Sequence, residues 1–268
     1  MKEFGIRAVV AIGLISLLAL TVWLGGWVQV AVLTLFAVIG ITEMYKMFGK
    51  KDVRICIVPL LLVAASQFVV LYLFPKYVPI VYIIGFLWIV ADRILNGRAS
   101  SEGAAASCFV LIYPLALLLC FGLFGFERND VSRIALIIVF AGPSMADNNA
   151  YMFGKLFGKH KLCPKISPNK TVEGFIAGLI GGPIGGLLVY FLQRLWGLNV
   201  HWGWLVGLGF IGGVIGQAGD LFASTFKRWS GIKDFGSIFP KHGGVIDRLD
   251  SAMMFAPVVA AFFNYLFR

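Results

Sequence analysis

Residues 239–267 read FPKHGGVIDRLDSAMMFAPVVAAFFNYLF, twelve charge-dense residues running directly into an apolar segment. The apolar part, 248–267, has about the 20-residue length that an α-helix needs to cross a bilayer. Working back along the chain, comparable runs recur at 6–25, 27–46, 54–74, 77–95, 105–126, 132–153, 172–193 and 202–223. The composition agrees, with 59% hydrophobic and 13% charged residues, whereas about a quarter of a soluble domain is charged. These features predict an all-α polytopic membrane protein of about nine transmembrane helices, joined by short connections. Lys2 and Arg7 ahead of the first run imitate a signal peptide. That run is too long for a typical signal core and no small-x-small pattern precedes Gly25-Gly26, so it reads as an uncleaved helix.

Charge sets the expected orientation. If the nine runs alternate across the bilayer, all but five of the 23 Lys and Arg residues fall on the side of the N-terminus. The five on the other side are Lys76, Arg128, Arg133, Arg194 and Arg268. The positive-inside bias makes the richer side cytoplasmic. The net charge of +10 then follows from topology, with no nucleic acid needed to explain it. Such a face also attracts anionic lipid and phosphorylated solutes. Cys56, Cys108, Cys120 and Cys163 have no CxxC or Cys/His metal spacing and read as small buried hydrophobes.

Two cytoplasmic connections, GKLFGKHKLCPKISPNKTVEG and KRWSGIKDFGSIFPKHGGV, differ from ordinary basic loops. Asp147 precedes the first, Asp220 the second, and Asp247 and Asp250 follow it, all next to or inside apolar runs. Carboxylates there cost several kcal/mol unless paired or cation-bound. In GQAGDLFASTFKRW, Asp220, Ser224 and Lys227 share a helical face, with Arg228 on the same side. A helix beginning near Val245 would put Asp247 and Asp250 on one face, and Gly243-Gly244 would let backbone N–H groups approach an anion. Pure helix capping is the plainer reading of those carboxylates. A few hard oxygen ligands suit Mg²⁺ completed by substrate phosphates, and one or two such ions could align a nucleoside triphosphate for in-line attack. Neither GxxxxGK[ST] nor a dinucleotide-type GxGxxG is present.

The pattern resembles the phosphatidate cytidylyltransferase (CDP-diacylglycerol synthase) family. Its C-terminal signature is matched by Ser224, Lys227, Arg228, Lys233, Asp234, Gly236, Pro240, His242, Gly243, Gly244, Asp247, Arg248 and Asp250, with every gap intact. The block from Asp147 through AYMFGKLFGKHKL to PKISPNKT (164–171) is similar to the family's upstream block. Two departures stand out. Asn148-Asn149 replaces the usual Ser/Thr-Gly, and Ala223 stands where a carboxylate is common.

The resemblance implies transfer of a cytidylyl group from CTP to phosphatidate, giving CDP-diacylglycerol and pyrophosphate, with Mg²⁺ as cofactor. It implies metal binding by Asp220, Asp247 and Asp250. Catalytic contacts to triphosphate or head group would come from Lys227, Arg228, Lys233, Asp234, His242 and Arg248. Substrate-binding positions would be Asp147, Lys165, Ser167, Lys170, Thr171, Ser224, Gly243 and Gly244. The expected organisation is N-terminal transmembrane helices over 1–130 and a catalytic transmembrane region over 131–268, with the active site at the cytoplasmic face. The expected setting is a homodimer in the bacterial inner membrane, with a cytoplasmic N-terminus. A CTP-dependent lipid or polyprenol kinase is the nearest alternative. An ion-coupled transporter is less favoured, because no inverted repeat is evident and the carboxylates crowd toward one face. Glu43 and Asp92, near the cytoplasmic ends of their runs, read as interfacial or structural.

Overall fold

Helical runs follow the apolar runs almost one for one. The computed structural model describes residue 13 and residues 16–96, 100–126, 129–240 and 242–266. Lys2, Arg7, Arg98, Arg128, Lys241, Arg268 and most of the first expected span lie outside them. A helical stretch at 16–24 leads into α1 (Gly26–Gly49), α2 (Ile57–Leu73) and α3 (Val78–Ala91), with one turn of 3₁₀ helix at Pro75–Tyr77 ahead of α3. Next come α4 (Ser101–Val110) and α5 (Leu117–Gly125), joined through a wider turn at Leu111–Ala116. Tyr113 leaves helical geometry there because the ring of the following Pro114 crowds it out of the α region into an extended one. Then follow α6 (Asp130–Phe157), a hairpin of β1 (Lys161–Cys163) and β2 (Ser167–Thr171), α7 (Val172–Gln193), α8 (Trp202–Ser230) and α9 (Val245–Leu266).

Among the described residues, five runs are long and apolar enough to cross a membrane: Gly26–Gly49, Pro75–Leu95, Ser101–Phe124, Val172–Trp196 and Trp202–Ser230. Ile57–Leu73 is a shorter apolar helix, while α6 and α9 carry carboxylates within otherwise apolar stretches. Several starts are fixed by local chemistry. Ser100, Asn129 and Thr171 each accept a backbone N–H from three residues ahead, satisfying a donor that the first helical turn leaves over.

The chain forms two compact units, Met1–Phe126 with Trp229–Arg248, and Glu127–Arg228 with Leu249–Arg268. In the first, Ile41, Met44, Leu60, Phe68 and Leu115 are fully buried. The N–H of Cys56, just before α2, donates to Ser107 Oγ on α4 at 2.8 Å. Tyr82 donates its hydroxyl to Gln67 Oε1 at 2.5 Å, giving that hydroxyl and the amide oxygen a partner in an apolar setting.

The second unit is held by close helix approach. Two glycine stripes run along α7 at four-residue spacing. A Cβ on Gly182 would strike the Gly209 carbonyl of α8, and one on Gly185 would lie 2.6 Å from the Ala141 carbonyl of α6. Small residues at this spacing let backbones touch, and such close packing holds helices together in lipid, where no hydrophobic force drives them to associate. Gln193, fully buried, closes the connection from α7 to α8. Its amide donates to Val200 O at 2.7 Å and accepts the Val200 N–H at 3.0 Å.

Candidate active site

Charged side chains from four elements gather within the second unit. Asp147 comes from α6, Lys170 from β2, Asp220 and Lys227 from α8, and Asp250 from α9. The Lys170 ammonium forms an ion pair with Asp220 Oδ2. Asp147 lies within electrostatic reach of Asp220 and Lys170, and its carboxylate accepts a hydrogen bond from the Ser251 side chain. Asp250 lies within reach of Asp220, Lys227 and Asp147, and its Oδ1 accepts the Ser251 N–H at 2.7 Å. The approach of α8 to α9 is close at this level, since a Cβ on Gly219 would stand 2.9 Å from the Asp250 carbonyl.

Asp250, Lys227 and Ser224 are buried, and Asp147, Lys170 and Asp220 are partly so. Carboxylates this close repel one another, so the arrangement calls for cations. Lys170 and Lys227 supply two. Among the described residues, no three His, Cys, Asp or Glu side chains converge tightly enough to hold a metal ion by themselves. Hard oxygen donors with ammonium groups beside them instead suit an ion whose remaining ligands are waters and phosphate oxygens.

The hairpin borders this cluster. Arg228 Nε donates to the Ile166 carbonyl at 3.1 Å, tying the end of α8 to the β-turn. Lys165 is exposed in that turn, and Ser167 opens β2 with intermediate exposure. Thr171 is buried and caps α7, its Oγ1 accepting the Gly174 N–H at 3.1 Å. Thr171→Ala is therefore expected to lower stability by about 1 kcal/mol, seen as a lower melting temperature in detergent, with Thr171→Ser restoring it. At the departure in the upstream block, Asn148 is exposed and Asn149 donates to the Met145 carbonyl at 2.8 Å, beside Gly181 of α7.

The signature residues of the first unit gather around the start of α9, which begins at Val245 as the spacing predicts. Asp247 is buried and its Oδ2 accepts the Phe235 N–H at 2.7 Å and the Gly244 N–H at 2.9 Å. Gly243 has φ 82°, a left-handed conformation that suits glycine, and a Cβ there would lie 2.8 Å from Asp247 Oδ2. His242 Nδ1 lies 3.3 Å from the Pro240 carbonyl. Lys233, Asp234 and Arg248 are exposed.

The backbone N–H groups expected to meet an external anion here instead meet protein carboxylates. Gly244 donates to Asp247, while Val245 and Ile246 donate to Glu43 of α1 at 2.9 Å and 3.0 Å. Glu43 thus has the structural role that its place near a span end suggested. Its partners lie 202 and 203 residues away, a pairing without any local sequence signal. A buried carboxylate in an apolar run was the available sign that it has partners.

Fold and charge together define a polytopic, all-α membrane protein that gathers carboxylates, ammonium groups and a short basic hairpin in one unit. Residues 5–266 match the cytidylyltransferase family, and the chain belongs to that family. It is similar to the phosphatidate cytidylyltransferase of Staphylococcus aureus (strain COL), with 41% identity over 139 residues, 51% of this chain and 52% of that protein. The protein of the same name from Staphylococcus haemolyticus (strain JCSC1435) is 45% identical over 116 residues, 43% of each chain. That from Staphylococcus epidermidis is 38% identical over 134 residues, 50% of each. The chain spans about half the length of the curated relatives it matches.

Proposed function

We propose that this protein is a nucleotidyltransferase of phospholipid biosynthesis that transfers the cytidylyl group of CTP to phosphatidate, releasing pyrophosphate and forming CDP-diacylglycerol. The gathering of Asp147, Asp220, Asp250, Lys170 and Lys227 in one unit carries this reading, supported by family membership and the names of the relatives. In the step proposed, a phosphate oxygen of phosphatidate bonds to the α-phosphorus of CTP. The bond from that phosphorus to the β-phosphate bridging oxygen breaks, and pyrophosphate leaves with the electron pair. A phosphate dianion is already nucleophilic at neutral pH, so the chain needs no general base.

Asp220 and Asp250 fit Mg²⁺ as hard oxygen donors, and the signature adds Asp247 on sequence grounds. A bound Mg²⁺ would neutralise charge on the triphosphate and help orient it. Lys227, held buried near Asp250, would bind phosphate oxygens, and Lys170 would do the same from the hairpin. Lys165, Ser167 and Arg228 would border the triphosphate, with Lys233, Asp234, His242 and Arg248 retained from the signature. The setting proposed is the bacterial inner membrane, with the N-terminus and the basic connections cytoplasmic and the protein a homodimer.

Labelled CTP tests the reaction directly. With purified protein, phosphatidate and Mg²⁺, label at the α-phosphate is expected to enter lipid, while label at the γ-phosphate stays in water as pyrophosphate. Transfer of the γ-label to a lipid alcohol, with none from the α-position, would instead establish a lipid kinase and end the cytidylyl reading. Lys227→Met is expected to lower kcat/KM for CTP by about 10²-fold, since a charged contact to the reacting phosphates is lost.

A further inference from the structure

Glu43 is a buried carboxylate that the cluster of the second unit does not use. It lies on α1 within a run long enough to cross a membrane and is 4% exposed. Its two oxygens are spent on backbone. One accepts the Val245 N–H at 2.9 Å and the other the Ile246 N–H at 3.0 Å. The carboxyl group also fills space left by two glycines, because a Cβ on either Gly236 or Gly244 would collide with it. Asp247 takes the neighbouring Gly244 and Phe235 N–H groups through Oδ2.

The donors at the start of α9 are therefore divided between one carboxylate on the helix and one on α1. Asp247 alone is the ordinary means of satisfying a helix start, a side chain in the first turn reaching back to a backbone N–H. A cap local to α9 cannot fix the rotation of its first turn, residues 245–248, relative to α1. Two hydrogen bonds from adjacent residues to the two oxygens of one carboxylate do fix it. They also fix which way the turn bearing Asp247 and Arg248 faces, because both lie within three residues of Val245. The electrostatics agree, since the positive end of the helix dipole offsets part of the burial penalty of Glu43.

We infer that Glu43 is a positioning residue: it holds the first turn of α9, and with it Asp247 and Arg248, in the orientation that cytidylyl transfer uses, without touching substrate. This inference rests on the transfer reading above, so its test has one readout independent of that reaction. Two full-length variants in detergent provide it. Glu43→Gln keeps the size but offers one acceptor oxygen and turns an NH₂ group toward a backbone N–H. Gly236→Ala leaves both carboxylates chemically intact and displaces Glu43 from the other side.

In both variants, amide hydrogen exchange at 244–247 is expected to speed up by about tenfold, in line with loss of a buried hydrogen bond to a charged group. In the same folded preparations kcat is expected to fall by about tenfold or more, with the KM for CTP within about twofold of the parent, as for an interaction made good only in the transition state. Unchanged exchange at 244–247 in both variants would overturn the claim that Glu43 holds the turn. Faster exchange with an unchanged kcat would reduce Glu43 to a cap and overturn the positioning role. Failure of the parent protein to label lipid from α-labelled CTP would instead remove the transfer reading, and the exchange measurement would still decide whether Glu43 holds the helix start. Should Glu43→Gln not fold, Gly236→Ala carries both measurements.

Discussion

Asp220→Asn is expected to lower cytidylyl transfer by about 10²–10³-fold while the protein still purifies folded. The substitution keeps the size of the side chain and one oxygen acceptor, while the charge is lost and the second oxygen becomes an NH₂ donor. In the structure that charge is paired with Lys170 and opposed by Asp147 and Asp250. Loss of the ion pair destabilises and relief of repulsion stabilises, so the melting temperature is expected to move little. A structural carboxylate would behave in the reverse way, with a falling melting temperature and unchanged turnover of the folded fraction. Calorimetric titration with Mg²⁺ in the presence of a non-hydrolysable CTP analogue adds a direct readout, in which the variant is expected to bind the ion more weakly. Full turnover by a folded Asp220→Asn protein would remove Asp220 from the metal assignment.

Gly182→Leu is expected to destabilise the second unit by on the order of 3 kcal/mol, the upper end of ordinary overpacking. The reason is what faces that position. A Cβ on Gly182 would meet the Gly209 carbonyl, which is backbone and has no rotamer to give way, and Gly209 meets Gly182 in the same manner. A Leu must therefore push α7 and α8 apart. Poor recovery in detergent and a melting temperature lowered by several degrees would check this. Ile184→Leu, at an exposed position on the same helix, is expected to leave both unchanged. A Gly182→Leu protein as stable as the parent would mean that α7 and α8 do not touch through backbone at this level.

The helices were legible in the sequence because the physics that sets them is local. Apolar runs of bilayer length, separated by basic connections, leave few alternatives. The apolar run at 172–193 coincides with α7, and α9 starts at Val245, where the spacing of Asp247 and Asp250 places it. Asp147, Asp220 and Asp250 drew notice for one reason, a charge in an apolar setting, and the structure brings these three together. Hidden from sequence were the partners. Nothing near Glu43 points to Val245, and nothing near Lys170 points to Asp220, because such pairs are set by which helices pack, a property of the whole unit. Thr171 shows the related difficulty that one side chain in a signature-like block can be spoken for by the backbone. The interruption at Tyr113 had a visible cause in Pro114, yet hydropathy alone smoothed over it.

The glycine contacts of α6, α7 and α8 bear on precision as well as cohesion. Where helices meet through side chains, their separation can drift as rotamers exchange, and every such exchange is a degree of freedom that loosens whatever the helices carry. Carbonyl against Cα has no such freedom. At Gly182, Gly185 and Gly186 the distance from α7 to its neighbours is set by backbone atoms in van der Waals contact. Asp147 and Asp220, borne on helices spaced in this way, inherit a separation with little configurational entropy left to lose when a ligand arrives, which is the physical content of preorganisation.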